Sequence, residues 1–250
     1  MTSRVAVALV VAVVVVAAGV GAIVYFEYFA SSGPADSENW AGYLDPHGVG
    51  SASATISLPA NGDWHGDGVA SLWVGMGGAG PLAAGSWPFW QAGALVTCSL
   101  GYCSAELFDE GGTQGAPCNG VCPVNWTQDF GVQVGDSITV TVSGGASGAT
   151  AVLVVDNDGF NSTYRPPPWT VLAGTYSFPS AEWIFEAPSG AHGMEVMPTL
   201  SPPGVVFSSL ADSNGPSVST PISMQDNPNG QSVNVSALSG GSFSAYSWDT

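Results

Sequence analysis

After its first 26 residues the chain has no long segment whose apolar residues recur every 3.6 positions, which argues against alternating helices and strands. What recurs instead is the two-residue alternation of half-buried strands. It is clearest in Ser180-Ala181-Glu182-Trp183-Ile184-Phe185-Glu186, where Trp183 and Phe185 fall on one face and Glu182, Ile184 and Glu186 on the other. Further strand patterns lie at 53–58, 69–75, 88–97, 137–143, 149–155, 204–208, 232–238 and 242–248. Turn-forming pieces such as Pro59-Ala60-Asn61-Gly62-Asp63 and Asp156-Asn157-Asp158-Gly159 separate them. With 34 Gly and 18 Pro, the 250 residues read as a large all-β sandwich or barrel. No internal repeat of fixed period is present, which disfavours a solenoid or propeller.

The N-terminus differs from the rest. Residues 1–4, with Arg4, precede an apolar run at 5–26, and 22 residues at about 1.5 Å each reach across ~30 Å of bilayer core. That run exceeds the about 7–15 apolar residues of a secretory signal. A single transmembrane signal-anchor helix is expected, with residues 1–4 cytoplasmic and the following chain outside. Cleavage near Ala30-Ser31-Ser32, giving a secreted domain, stays open. Residues 27–38 read as a stalk and 39–250 as the folded domain.

Charge narrows the partners. Nineteen acidic residues face two basic ones, Arg4 and Arg165, for a formal net charge of -17. Nucleic acid is excluded as a partner on that balance. Near pH 3 most carboxylates of ordinary pKa are protonated, and so few bases prevent a large positive charge from replacing the negative one. The composition therefore suits a protein that works in acid.

Cys98, Cys103, Cys118 and Cys122 lack the paired spacing and histidines of a zinc site and are expected to form two disulfides, with three pairings open. They would staple a loop at 101–123 that carries little strand signal. Acceptor sequons stand at Asn125, Asn161 and Asn234. The Gly-rich stretch Gly75-Met76-Gly77-Gly78-Ala79-Gly80 is followed by Pro81 and no helix pattern, so it is a turn and not a dinucleotide site. His47, His65 and His192 share no paired spacing and are assigned neither metal nor catalysis. No Gly-x-Ser-x-Gly elbow and no pepsin-like Asp-Thr-Gly or Asp-Ser-Gly occurs.

One carboxylate and one carboxamide remain. Glu182 lies on an aromatic strand, and Gln91 sits within Phe89-Trp90-Gln91-Ala92-Gly93. A carboxylate can take a proton from an attacking water and return it to the departing amine. A carboxamide NH2 can hydrogen-bond the oxyanion that develops. The plainer alternative is that the glutamates cover a solvated sheet face.

Several pieces, in order along the chain, resemble the glutamic peptidases, or eqolisins. They are Asn39-Trp40-Ala41-Gly42-Tyr43, Leu72-Trp73-Val74-Gly75-Met76, Trp90-Gln91-Ala92-Gly93, Val134-Gly135-Asp136-Ser137-Ile138-Thr139, Ser180-Ala181-Glu182-Trp183-Ile184, Val205-Val206-Phe207 and Gly241-Ser242-Phe243-Ser244. The resemblance implies an antiparallel two-sheet β-sandwich of the concanavalin, lectin-like jelly-roll kind, with a concave substrate face. It implies an acid-active endopeptidase in which Glu182 is general base and then acid, and Gln91 binds the oxyanion. Trp73, Trp40 and Glu106 would line the substrate cleft. Water attacks directly, so no metal or cofactor is expected, and the partners are protein or peptide substrates met by a monomeric domain. The chain departs from the family pattern at Gly77 and Leu95, where the family has Asp. Two non-catalytic readings stand beside this one: a lectin-like module binding glycan or peptide in the same face, and a cell-surface structural domain.

Overall fold

The computed structural model describes residues 9–17, 20–28, 35–77, 88–113, 124–127, 131–190, 193–215, 220–225 and 227–249. The main body is built from β1 (Trp40–Asp45), β2 (Ser51–Ser57), β3 (Gly68–Met76), β4 (Pro88–Ser99), β5 (Tyr102–Thr113), β6 (Val124–Thr127) and β7 (Ser137–Ser143). It continues with β8 (Thr150–Asn157), β9 (Phe160–Tyr164), β10 (Ala181–Glu186), β11 (Val205–Asp212), β12 (Thr220–Met224), β13 (Gln231–Val235) and β14 (Phe243–Asp249). Among the described residues these strands and the short Ala35–Ser37 form one sheet, in the order β6-β5-β4-β3-β10-β1-β12-β13-β14-β11-β2-β7-β8-β9. All pairings are antiparallel except that of Ala35–Ser37, which runs parallel to β12. Most of the strands read from the sequence are present, and the alternating ones carry the expected buried and exposed faces.

Two separate sheets were expected, and a single curled one is found. The physical reason is the bridge β12-β13-β14, which hydrogen-bonds to β1 on one side and β11 on the other. Its ladders leave no open sheet edge between the wings, which would otherwise invite pairing with another chain. The wings face one another across the core, β3 and β4 packing on β2, β7 and β8. Leu72, Trp90, Trp183 and Phe185 meet Ile56, Val140 and Leu153 there. Two buried indoles also bond across this layer: Trp90 Nε1 donates to the Thr150 carbonyl at 2.9 Å and Trp183 Nε1 to that of Ser53 at 2.9 Å. Each indole thus buries its ring without leaving an N–H unpaired, and truncating such a ring to Ala typically costs about 3–5 kcal/mol.

The N-terminal run is not the expected membrane-spanning helix. Leu9–Ala17 and Val20–Tyr28 are strands paired antiparallel from Leu9↔Tyr28 to Ala17↔Val20. Valine dominates both, and its branched Cβ favours the extended backbone over the helix. No helix among the described residues is long and apolar enough to cross a membrane. The stalk is also shorter than expected, because Ala35–Ser37 already belongs to the sheet.

The loop expected at 101–123 is in large part strand. A two-residue turn at Leu100 (φ 54) and Gly101 (φ 80) sends β5 straight back along β4. The disulfide Cys98–Cys103 closes the end of that hairpin, its two residues directly opposed. Cys118 and Cys122 lie outside the described residues, so their pairing does too. Asp156 to Gly159 makes the expected tight turn, Gly159 N–H donating to Asp156 Oδ1 at 2.9 Å. Asn161 and Asn234 are exposed.

Candidate active site

Strand register brings the two candidate catalytic side chains into one row. Glu110 on β5 opposes Gln91 on β4, Gln91 opposes Gly75 on β3, and Gly75 opposes Glu182 on β10. Directly opposed residues share a sheet face. Gln91 and Glu182 therefore stand on the same face with two inter-strand spacings, about 10 Å of backbone, between them. That face is opposite the one that carries Trp183 and Phe185 into the core, as the alternation of 180–186 required.

Gly75 matters because it has no side chain. A Cβ there would stand 3.2 Å from Glu182 Oε2 and 2.7 Å from the Trp73 ring. The carboxylate thus leans over the glycine, toward Gln91. Its other oxygen, Oε1, accepts a hydrogen bond from the Ser180 hydroxyl. Gln91 Nε2 donates to Glu110 Oε2 at 3.1 Å. Glu182 and Glu110 are 0% and 1% exposed, and Gln91 is 4% exposed.

A second carboxyl group lies four residues along β10. Glu186 opposes Trp40 on β1 and Ser71 on β3. Its Oε2 accepts from Trp73 Nε1 at 2.7 Å and its Oε1 from Asn39 Nδ2 at 3.2 Å. The Trp40 ring packs edge-on against Trp73, centroids 5.1 Å apart. Burial pushes the Glu186 carboxyl up to about 8, against the opposing pull of hydrogen bonds from Trp73, Trp40 and Asn39. Glu110 is likewise held well above the ordinary carboxyl range, first by burial and then by the neighbouring Glu186. Burial outweighs the donors because removing a charge from water costs several kcal/mol.

The face therefore holds three enclosed glutamates, and they differ in surroundings. On its reverse, Asp109 points into the core, where Trp169 Nε1 donates to its Oδ2 at 3.0 Å. Among the described residues no group of three His, Cys, Asp or Glu could hold a metal.

A model of the Peptidase A4 family matches residues 38–243. The chain belongs to that family, the glutamic peptidases. Among curated proteins nothing matches the chain. Solved structures do: scytalido-glutamic peptidase with a transition state analog inhibitor is similar over 84% of this chain and 98% of its own, at 19% identity and a TM-score of 0.58. The same enzyme with a peptide-based transition state analog gives 17% identity over the same shares and a TM-score of 0.50. At such identities the likeness is one of fold.

Within this glutamic peptidase the residues expected at the site divide as follows. Gln91, Glu182, Trp73 and Trp40 share one face, but both indoles are buried against Glu186 and Trp40 is only 6% exposed. Glu106 shares the face too, yet it opposes Leu95, four residues and about 13 Å along the strand from Gln91's partner. Glu110, not Glu106, is the carboxyl beside Gln91. The departure at Gly77 has a local cause: its φ is +86, and a Cβ there would lie 2.1 Å from the Pro88 carbonyl oxygen. An aspartate does not fit that backbone.

Sequence reading did not find Glu110, Ser180 or Asn39, and it noted Glu186 only as a face-mate of Glu182. The signal for Glu110 was present. A two-residue turn at 100–101 fixes the register, and counting back along the hairpin sets 110 against 91.

Proposed function

We propose that this glutamic peptidase cuts internal peptide bonds in acid by direct attack of a water molecule, using Glu182 and Gln91. The observation that carries the reading is the shared row, in which the two side chains flank the side-chain-free Gly75. The Glu182 carboxylate takes a proton from the water as its oxygen bonds to the scissile carbonyl carbon. Negative charge collects on the former carbonyl oxygen, which accepts a hydrogen bond from the Gln91 NH2. When the tetrahedral intermediate collapses, the C–N bond breaks and the departing nitrogen takes the proton from Glu182. Ser180, bonded to the other carboxylate oxygen, holds the group in position.

Acid operation is supported by the scarcity of bases and by the two neighbouring glutamates that burial keeps protonated. Neutral Glu110 and Glu186 place no negative charge beside Glu182. The Cys98–Cys103 disulfide supports an oxidising setting outside the cytoplasm.

The test is cleavage of a denatured protein at pH 2–5 by wild type, Glu182→Gln and Gln91→Ala. Glu182→Gln is expected to abolish turnover. Gln91→Ala should lower kcat about 100- to 1000-fold, the usual loss for one oxyanion donor. Both variants should keep the wild-type circular dichroism. Turnover by Glu182→Gln at the wild-type rate would remove the mechanism.

A further inference from the structure

We propose that Glu110 is the positioning residue that decides which end of the Gln91 carboxamide faces the reacting peptide, and that it does so through its own proton. The inference rests on the peptide-hydrolysis reading above and assigns a role that reading leaves open.

Glu110 and Gln91 are buried, directly opposed across β5 and β4, and in contact at 3.1 Å. The chemistry of this pair depends on one hydrogen. As a carboxylate, Glu110 can only accept, so it must engage the Nε2 end of Gln91. As a carboxylic acid it also donates, and its O–H can bond to Gln91 Oε1. That protonation permits the carboxamide to turn end for end from the orientation seen here, which frees both hydrogens of the NH2 toward Gly75 and Glu182. Ionised Glu110 thus holds one of the two Nε2 hydrogens, as in the contact seen here, and keeps the NH2 end turned from Gly75. It also sets a negative charge one strand away from where the oxyanion forms. Both effects act in the same direction, confining turnover to conditions in which Glu110 holds its proton.

Among the described residues no positive charge stands beside Glu110 to compensate this one. Glu182 and Glu186 stand on β10, while Glu106 lies on Glu110's own strand and face, and Asp109 on the reverse of that strand. On its outer flank β6 sets Val124 against it, and that strand, Val-Asn-Trp-Thr, carries no titratable group. Arg165, the one basic residue within the described part of the chain, is exposed. Burial accordingly holds Glu110 in the acid form well above the ordinary carboxyl range.

The experiment follows the full-length protein by nitrogen-15 NMR of the Gln91 side-chain amide from pH 3 to 8, together with kcat and KM profiles on a denatured protein substrate. In wild type and in Glu186→Gln the amide resonance is expected to titrate. In Glu110→Gln it should not, because that amide can donate to Oε1 at every pH. Glu110→Gln should keep kcat within about threefold of wild type in acid and carry activity about one pH unit or more further toward neutrality. Glu110→Leu should lower kcat more than about tenfold with little change in KM, since the lost effect is in the transition state. An unchanged basic limb in Glu110→Gln, a wild-type kcat in Glu110→Leu, or a Gln91 amide that does not titrate in wild type each overturns the proposal. If wild type cleaves nothing, the hydrolysis reading falls, and the amide titration by itself decides whether Glu110 controls Gln91.

Discussion

Raising the pH from 4 to 8 should destabilise this protein, and Glu186 accounts for much of the effect. Its carboxyl lies within the sheet face beneath two indoles and is pushed from an ordinary 4.5 to about 8. A group whose folded-state pKa is raised binds its proton more tightly when folded. Its contribution is therefore complete below about pH 4.5 and is lost as pH climbs toward 8. At ~1.4 kcal/mol for each pH unit between those values, the loss reaches about 5 kcal/mol. That figure already includes the Trp73, Trp40 and Asn39 donors, which favour the ionised form but do not outweigh burial. Glu110, raised for the same reason, adds a loss of the same sign. Against a typical total stability of about 5–15 kcal/mol, the change is large enough to unfold a marginal domain near neutrality. Urea denaturation of wild type and Glu186→Gln at pH 4, 6 and 8 measures it. Wild type should lose several kcal/mol across that range, and Glu186→Gln should lose distinctly less. A wild-type stability that is flat or rises toward pH 8 would refute the reasoning, as would an equal slope in the variant.

Other perturbations address the row itself and the hairpin that sets it. Gly75→Ala places a methyl 2.7 Å from the Trp73 ring and 3.2 Å from Glu182 Oε2; it should lower kcat more than about tenfold, through displacement of the carboxylate, while thermal unfolding shows the fold retained. Replacing Cys98 and Cys103 together by Ser opens a short loop of sequence separation 5, and chain-entropy arithmetic gives a stability loss of about 2 kcal/mol, read as a lower urea midpoint at unchanged m.

The face-by-face assignment of β10 was legible from alternation alone: Trp183 and Phe185 enter the core cluster while Glu182, Ile184 and Glu186 do not. That Gln91 and Glu182 share a face was not legible, because it takes two ladders through β3 to join strands ninety positions apart. β5 was hidden for a different reason. Over its inner part, 107–110, both faces are buried and each carries a carboxyl, Asp109 toward the core and Glu110 toward the site, so the apolar–polar rhythm of 103–107 is lost there. The N-terminal run failed in the opposite sense, since length and hydropathy cannot separate a helix from paired Val-rich strands. β13 and β14 were legible as strands, but the joining of the two wings through β12-β13-β14 was not, because it depends on pairings between distant segments.

The turn at Leu100 and Gly101 has a reach well beyond its two residues. A single residue inserted there would advance β5 by one position, and every side chain on it would change sides. Asp109 would arrive beside Gln91, and Glu110 would be driven among Trp169 and its apolar neighbours. The bond between Cys98 and Cys103, seated at the first pairs of the hairpin, forbids that slip. The alignment of an acid with its amide nine pairings deep in the sheet is thus decided at the solvent-facing tip of a hairpin, and it is a covalent clasp that keeps count.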